Sequence, residues 1–329
     1  MKAIALGLTF FMAIFFVTAC GEITYPKEKL RESIIELCAE EYNVAVDVKV
    51  TGNTMAIYIP ISNLFGITLA INKVAQDKVQ DVLLGASRVA LSTDADIKFY
   101  CIIAQDERIP EIQLVIIKYV DDIKKVYFQA ISRGEYFKRT IIDINENPQA
   151  KKEQSIREVF GKMSLDEEIQ QNVLNDFFRS EPSSLEGIGY WNGQFYIKNI
   201  TLPEFLAEQM KARIIMRFRE KEELRKYELK SLTSKFTEED SAKYFFFTFQ
   251  IEDFLFLTDP KEIVGGQREI FENIFEETSN VIYGYKFKEF KFVKFLEKNL
   301  NKKLVVPEKD IFLFKKQKLD ISTILGRIS

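Results

Sequence analysis

The sequence has no histidine among its 329 residues. This absence excludes Ser-His-Asp and Cys-His catalytic arrangements, histidine metal sites and acid–base catalysis by imidazole. Only three cysteines occur, and no Cys-x-x-Cys pair is among them, so the spacing of a cysteine-rich metal site is lacking as well. A P-loop and a dinucleotide-binding glycine motif are also missing. We therefore expect neither a metal ion nor a cofactor.

An excess of charge of either sign is lacking too. The chain has 46 basic and 49 acidic residues, for a net charge of −3, whereas a nucleic-acid binder usually has a basic excess. We therefore expect no nucleic-acid partner. Beyond residue 19 no apolar run approaches the roughly 20 residues that a transmembrane helix needs. The hydrophobic content of 47% and charged content of 29% are typical of a soluble globular protein.

The N-terminal residues carry a recognisable pattern. Lys2 precedes an uncharged apolar run over residues 3–17, and the last residue of this run begins the stretch Val17-Thr18-Ala19-Cys20-Gly21. The run is short for a transmembrane helix and has the features of a cleaved signal. This arrangement resembles that of a bacterial lipoprotein precursor.

The resemblance implies where the protein resides. Residues 1–19 would be the signal peptide, and Cys20 would carry a diacylglycerol through a thioether bond. Lipid on Cys20 would anchor the chain to the cell envelope. Gly21 stands where an aspartate retention signal would otherwise lie, which implies the outer membrane, facing the periplasm, if the source has two membranes. Residues 20–27 would form a short tether.

The rest of the chain is expected to be α+β. Residues 28–144 read as an N-terminal domain of order α-ββ-α-ββ-α, in which the hairpin turn at 51–54 is the clearest local signal. Residues 145–160 are polar and lack apolar periodicity, which is typical of a linker. Residues 161–329 read as a C-terminal domain with a similar order, so we expect two tandem units. Each would have an antiparallel sheet with helices on one face.

The second half contains two features that could contact a partner. Tyr190 and Trp191 adjoin an Asn-Gly hairpin turn, so they form either a candidate binding loop or an ordinary hairpin with its aromatics in the core. Residues 202–236 are expected to form one long helix with a charged middle. That helix is either an arm that meets a protein partner or a core helix with a solvated face.

The two remaining cysteines fall on apolar faces. Cys38 lies on the apolar stripe of the first helix after the tether, and Cys101 alternates with apolar residues on a strand. Because an exported protein can be oxidised, a Cys38–Cys101 disulfide is one interpretation. Two buried free thiols are the other.

No pattern names a reaction. We expect a lipid-anchored envelope protein with a non-enzymatic binding or assembly role. The alternatives are an envelope hydrolase that uses Asp and Glu carboxylates without histidine, and a carrier of a small ligand. A pocket with two facing carboxylates would favour the hydrolase, and a large apolar cavity would favour the carrier.

Overall fold

The computed structural model describes residues 25–66, 68–163, 165–177, 182–253, 260–299 and 301–329. These residues contain ten α-helices and eleven strands. The helices are α1 Leu30–Tyr42, α2 Lys73–Ser92, α3 Val120–Tyr127, α4 Arg133–Lys138, α5 Pro148–Met163, α6 Glu167–Phe177, α7 Leu202–Glu220, α8 Pro260–Tyr285, α9 Glu308–Lys315 and α10 Ile321–Leu325. The strands are β1 Asp47–Thr51, β2 Thr54–Ile61, β3 Phe99–Asp106, β4 Ile109–Tyr119, β5 Ile141–Glu146, β6 Gly189–Trp191, β7 Gln194–Tyr196, β8 Tyr227–Glu239, β9 Ala242–Asp253, β10 Phe292–Glu297 and β11 Lys302–Pro307.

Two larger sheets share one pairing pattern. The first has the order β1-β2-β3-β4-β5 and the second the order β11-β10-β9-β8, while β6 and β7 form a two-stranded sheet. In the first sheet β1–β2 and β3–β4 are antiparallel and the central pair β2–β3 is parallel. In the second, β8–β9 and β10–β11 are antiparallel and β9–β10 is parallel. The predicted α+β class is therefore confirmed, with mostly antiparallel sheets.

The α-ββ-α-ββ-α order occurs twice. It runs first through α1-β1-β2-α2-β3-β4-α3 and then through α7-β8-β9-α8-β10-β11-α9. The second copy begins at Leu202 and not near residue 161, so the position expected for the repeat was wrong although its order was right. The chain divides into two compact units: the described residues of Met1–Tyr136 and Ile142–Asn199, and those of Phe137–Ile141 and Ile200–Ser329.

The segment expected to be a linker belongs to the first unit. Residues 145–160 include the end of β5 and most of α5, and Asn147 and Gln149 are buried there. Only Ala150 and Phe160 are buried apolar residues of α5. Because polar side chains take part of its buried face, the helix lacks the apolar periodicity by which it could be recognised.

The core of the first unit lies between its sheet and two helices. Apolar side chains of α1 and α2 pack against alternate residues of the strands, including Tyr100, Ile102 and Ala104 of β3. The residues between these, Cys101 and Ile103, are fully buried on the opposite face because successive side chains of a strand point to opposite sides. The sheet is therefore covered on both faces around β3.

Phenylalanine dominates the core of the second unit. On β9, Phe245, Phe247 and Phe249 are completely buried, while the residues between them are partly exposed. They contact other aromatic rings, such as that of Phe295, whose centroid lies 5.2 Å from that of Phe247. Ring pairs in stacked and edge-to-face geometry add to the stabilisation from burial alone.

The expected helix over residues 202–236 is too long. Helix α7 begins at a Thr201 capping box and ends at Glu220, and β8 begins at Tyr227. A bulge between Leu229 and Ser231 interrupts β8, so its buried residues do not alternate regularly. The spacing of its apolar residues therefore imitates a helix.

Candidate functional site

An open cleft lies in the first unit, at the end of the sheet where β4 begins and β5 ends. Its volume is about 530 Å³. The side chains that line it are mostly charged and include one aromatic ring: Glu111, Glu146, Ala150, Glu153, Gln154, Arg157, Glu158 and Trp191. Trp191 is the only tryptophan of the chain. The cleft therefore combines an aromatic surface with several carboxylates.

A short hairpin positions the tryptophan. Trp191 ends β6 and pairs with Gln194 of β7. The two turn residues, Asn192 and Gly193, have positive φ angles of 48° and 76°, as a type I′ turn requires. The predicted Asn-Gly hairpin is thus confirmed, and the tight turn keeps Trp191 at the strand end.

Tyr190 fastens this hairpin to the sheet. Its ring stacks on Tyr58 of β2, with the centroids 3.7 Å apart. Its carbonyl accepts hydrogen bonds from the side-chain amides of Gln113 and Asn147, both of which are buried. Its N–H donates to Gln113 Oε1 at 3.2 Å. Of the two residues predicted as a binding loop, Tyr190 is therefore a structural anchor, and Trp191 alone lines the cleft.

Glu153 fixes the indole of Trp191. The indole Nε1–H donates to Glu153 Oε2 at 2.8 Å, and Asn192 Nδ2 donates to the same oxygen at 3.1 Å. Arg157, one turn further along α5, donates to Glu153 Oε1 at 2.8 Å. Partial burial acts to raise the pKa of Glu153, but these hydrogen bonds outweigh it and hold the pKa below its ordinary value. The carboxylate thus stays ionised.

The remaining charges give the cleft a negative balance. Arg157 compensates Glu153, and Lys151 lies 3.3 Å from Glu146 in an exposed ion pair. Such exposed pairs are weak because water and salt screen them. Glu111 and Glu158 are exposed as well. Four carboxylates and one guanidinium line the cleft, so its field favours a cation.

A separate polar cluster lies beneath α2 in the same unit. Lys118 of β4 donates to Tyr136 Oη at 3.0 Å and lies 4.2 Å from the centre of that ring. Ser87 and Tyr100 share a hydrogen bond of 2.8 Å beside it. Burial lowers the pKa of Lys118 to about 8. These groups mainly satisfy one another, so we assign the cluster a structural role.

The two cysteines of the described chain do not pair. Cys38 and Cys101 are both free thiols and both buried. Cys38 belongs to the core between the helices and the sheet, whereas Cys101 lies on the other face, between Tyr100 and Ile102. The sheet therefore separates the two sulfur atoms, and the disulfide interpretation is wrong. Cys20 lies outside the described residues.

Two other features are lacking within the described ranges, a cluster of metal ligands and a membrane-spanning helix. No group of three or more Cys, Asp or Glu side chains there is placed to hold a metal ion. In the same ranges, no helix is both long and apolar enough to cross a bilayer.

The residues that support Trp191 carry almost no recognisable pattern in the sequence. Glu153 and Arg157 lie in residues 145–160, where the lack of apolar periodicity predicts a linker and their i, i+4 spacing is a weak sign of a helix. Gln113 gives no sign of its role, because its partner Tyr190 is 77 residues away.

Comparison of the chain with protein-family models, with curated proteins and with solved structures gives no match.

Proposed function

We propose that this protein is a lipid-anchored binding protein of the cell envelope, with a non-enzymatic role and its ligand site in the Trp191 cleft. The anchor would be Cys20, as the lipoprotein-like N-terminal residues suggest. The observation that carries the binding role is the fixed indole of Trp191 in an open, acid-lined cleft. Preorganised aromatic and charged groups of this kind bind ligands without first being ordered.

The charge balance favours a ligand with a positively charged group. An ammonium or guanidinium group is attracted to the face of an indole as well as to carboxylates. Glu111 and Glu158 could provide those carboxylates, since Arg157 already compensates Glu153, and Glu146 could join them by leaving its weak exposed pair with Lys151. An anionic ligand would meet repulsion from the same groups.

Two observations favour binding over the alternative functions. A carboxylate hydrolase needs one carboxyl group that stays protonated as general acid. The pKa of Glu153 is shifted the opposite way, and its oxygens already accept hydrogen bonds from three side chains. A carrier of an apolar ligand would need an enclosed apolar cavity, whereas this cleft is open and mostly charged.

Trp191 provides the test of ligand binding. Because it is the only tryptophan, fluorescence excited at wavelengths that tyrosine does not absorb reports on the cleft alone. We expect spermine or a trilysine peptide to cause a saturable change in this emission that weakens with added salt. Loss of two exposed carboxylates in the Glu146→Gln/Glu158→Gln variant should weaken binding about fivefold to tenfold.

The control removes two carboxylates elsewhere. Glu36 and Glu40 are exposed on α1, so the Glu36→Gln/Glu40→Gln variant changes net charge equally without touching the cleft. It should bind both probes like the original chain. An equal loss in both variants, or no saturable change with either probe, would contradict a specific site.

The anchor is tested separately. Expression of the full chain in a bacterial host with labelled palmitate should yield an acylated protein in the membrane fraction. Cys20→Ala should be unlabelled and soluble in the exported fraction. Acylated, membrane-bound Cys20→Ala protein would show that the anchor lies elsewhere, while leaving the cleft measurements unaffected.

A further inference from the structure

The end of the first unit that would face the bilayer can be located. Tyr25, the first described residue, forms a β-bridge with Thr93, and its hydroxyl accepts a hydrogen bond from Arg88 at 3.0 Å. The backbone N–H of Lys27 donates to Asp94 at 2.6 Å. Only five residue steps separate Cys20 from Tyr25, and these span about 17 Å at most. A lipid on Cys20 would therefore hold this end of the unit near the membrane surface.

The same end of the unit is the end where β3 begins and β4 finishes. Thr93 and Asp94 lead directly into the start of β3. There the backbone N–H groups of Lys98 and Phe99 donate to the carbonyl of Asn53, at 2.9 and 3.2 Å. The N–H of Val120, which follows β4, donates to the carbonyl of Lys98 at 2.9 Å. The tether and the last residues of β4 thus lie together.

The Trp191 cleft lies at the other end of the same strand. Glu111 lines it from the beginning of β4, and the N–H of Asn147, next to the cleft residue Glu146, donates to the Glu111 carbonyl. Eight residue steps separate Glu111 from Tyr119, the last residue of β4. At about 3.4 Å per residue they extend over roughly 27 Å. The tether and the cleft therefore lie at opposite ends of the strands of this sheet.

From this arrangement we propose that the cleft is membrane-distal, so that it takes ammonium or guanidinium groups carried by a water-borne ligand and not those of lipid headgroups in its own membrane. The proposal rests on the proposed function, both for the lipid on Cys20 and for the cationic ligand. It adds the direction from which the ligand arrives. A polyamine and a basic peptide share the required chemistry, and both can reach the cleft from the aqueous phase.

The orientation can be measured with one tryptophan at a time. The lipidated chain is reconstituted into vesicles that contain a dansyl-headgroup lipid, and energy transfer from tryptophan to dansyl is recorded. The second protein carries Trp191→Phe together with Lys29→Trp, which moves the donor to an exposed position in the 3-10 turn Lys27–Lys29 beside the tether. We expect clearly weaker transfer from Trp191 than from position 29. Equal or stronger transfer from Trp191 would overturn the proposal.

Two further measurements test the lipid anchor and the cationic ligand independently of the orientation. Flotation of the vesicles reports the anchor, so protein that fails to float refutes the lipid on Cys20 and the orientation with it. The change in Trp191 emission on addition of spermine or trilysine in solution measures binding of a cationic ligand. The probe that binds more tightly shows whether a polyamine or a basic peptide is the better ligand. We expect vesicle-bound and detergent-solubilised protein to bind these probes with the same affinity. Binding that is lost when the protein sits on vesicles containing amine-headgroup lipids would indicate that the membrane itself occupies the cleft, and would overturn the proposal.

Discussion

Replacement of Asp106 by asparagine should destabilise the first unit in a pH-dependent way. The Asp106 carboxylate is completely buried at the end of β3. It accepts hydrogen bonds from the backbone N–H groups of Phe65 and Arg108, at 3.0 and 2.9 Å, and its Oδ2 lies 3.0 Å from the Arg108 guanidinium. This carboxylate thus joins the loop after β2 to the β3–β4 turn. Asparagine has nearly the same shape but carries no charge.

The pKa of Asp106 sets the expected magnitude. The hydrogen bond from the Arg108 guanidinium lowers this pKa from 3.8 to about 2, against the effect of burial and with help from the two backbone donors. Each pKa unit corresponds to about 1.4 kcal/mol of preference for the ionised form. Arg108 is half exposed, so solvent screening reduces the total. We expect Asp106→Asn to lower the free energy of unfolding by about 2 kcal/mol at pH 6.

The sign of the pH dependence follows from the direction of the shift. A carboxyl group whose pKa is lower in the folded state stabilises the fold above its unfolded pKa, and this contribution is lost as pH falls through the folded pKa. The difference between the original chain and Asp106→Asn should therefore shrink as pH falls from about 4 towards 2. Urea unfolding at several pH values measures it, with Asp77→Asn on the exposed face of α2 as control. A difference below about 0.5 kcal/mol at pH 6 would refute the reasoning, since surface substitutions already reach that size.

Three further substitutions or reactions test the core of the first unit. Burial lowers the pKa of Lys118 to about 8, so Lys118→Met should raise the free energy of unfolding by about 1–2 kcal/mol at pH 7. Urea titrations should show this gain vanishing between pH 8 and 10.5, because the lysine is then neutral in the folded state. Cys38 and Cys101 should resist a thiol reagent until urea unfolds the chain. Two thiols should then react in Cys20→Ala protein without a reductant, and if no thiol reacted, the two cysteines would be paired in a disulfide. Gly85→Leu should lower the free energy of unfolding by about 1–3 kcal/mol, since even a Cβ there would lie 3.1–3.2 Å from side chains of α1. The control Gly161→Ala has nothing within 4 Å of its Cβ and should be neutral or slightly stabilising in thermal melts.

Local signals in the sequence predicted the elements that depend on local chemistry. Gly52 and Asn53 lie in the turn between β1 and β2 as expected, and Gly52 has a φ of 58°. Asn192 and Gly193 form the second hairpin turn. In both cases the turn residues themselves determine the backbone conformation, so no distant contact is needed to identify them.

The position along the chain of the second copy of the repeat could not be predicted in this way. Strands β6 and β7 have only three residues each, yet their turn is as clear as that between β1 and β2. A C-terminal domain over residues 161–329 with the order α-ββ-α-ββ-α makes this hairpin its first pair of strands, and that assignment is wrong. The true counterpart, β8, was hidden by the bulge near Ser231 and by its charged start. Turn chemistry shows where a hairpin is but does not show to which sheet it belongs.

The cleft escaped prediction for a related reason. Its tryptophan was identified as a candidate, but the residues that orient it belong to a helix without an apolar stripe, and Glu111 comes from a strand about 80 residues away. The hydrogen bonds of Glu153 to Trp191 and Asn192 span 38 and 39 residues. Polar contacts over such separations depend on the complete fold, which periodicity does not encode.

The position of the cleft in the repeat also bears on function. Seven of its eight lining residues lie between the two copies of α-ββ-α-ββ-α, in the segment from β5 to β6; Glu111 alone comes from a repeated strand. In the second unit, the described chain passes from α9 to α10 within six residues and forms no equivalent segment there. The two copies therefore provide scaffolds with similar strand pairing, while the segment between them adds the tryptophan and most of the carboxylates. If the cleft binds the ligand, exchange of residues 142–199 for a short loop should abolish spermine binding, which equilibrium dialysis has to measure because the exchange also removes Trp191. Loss of binding while circular dichroism and urea unfolding show that both copies of the repeat remain folded would place the function in that segment and not in the repeat.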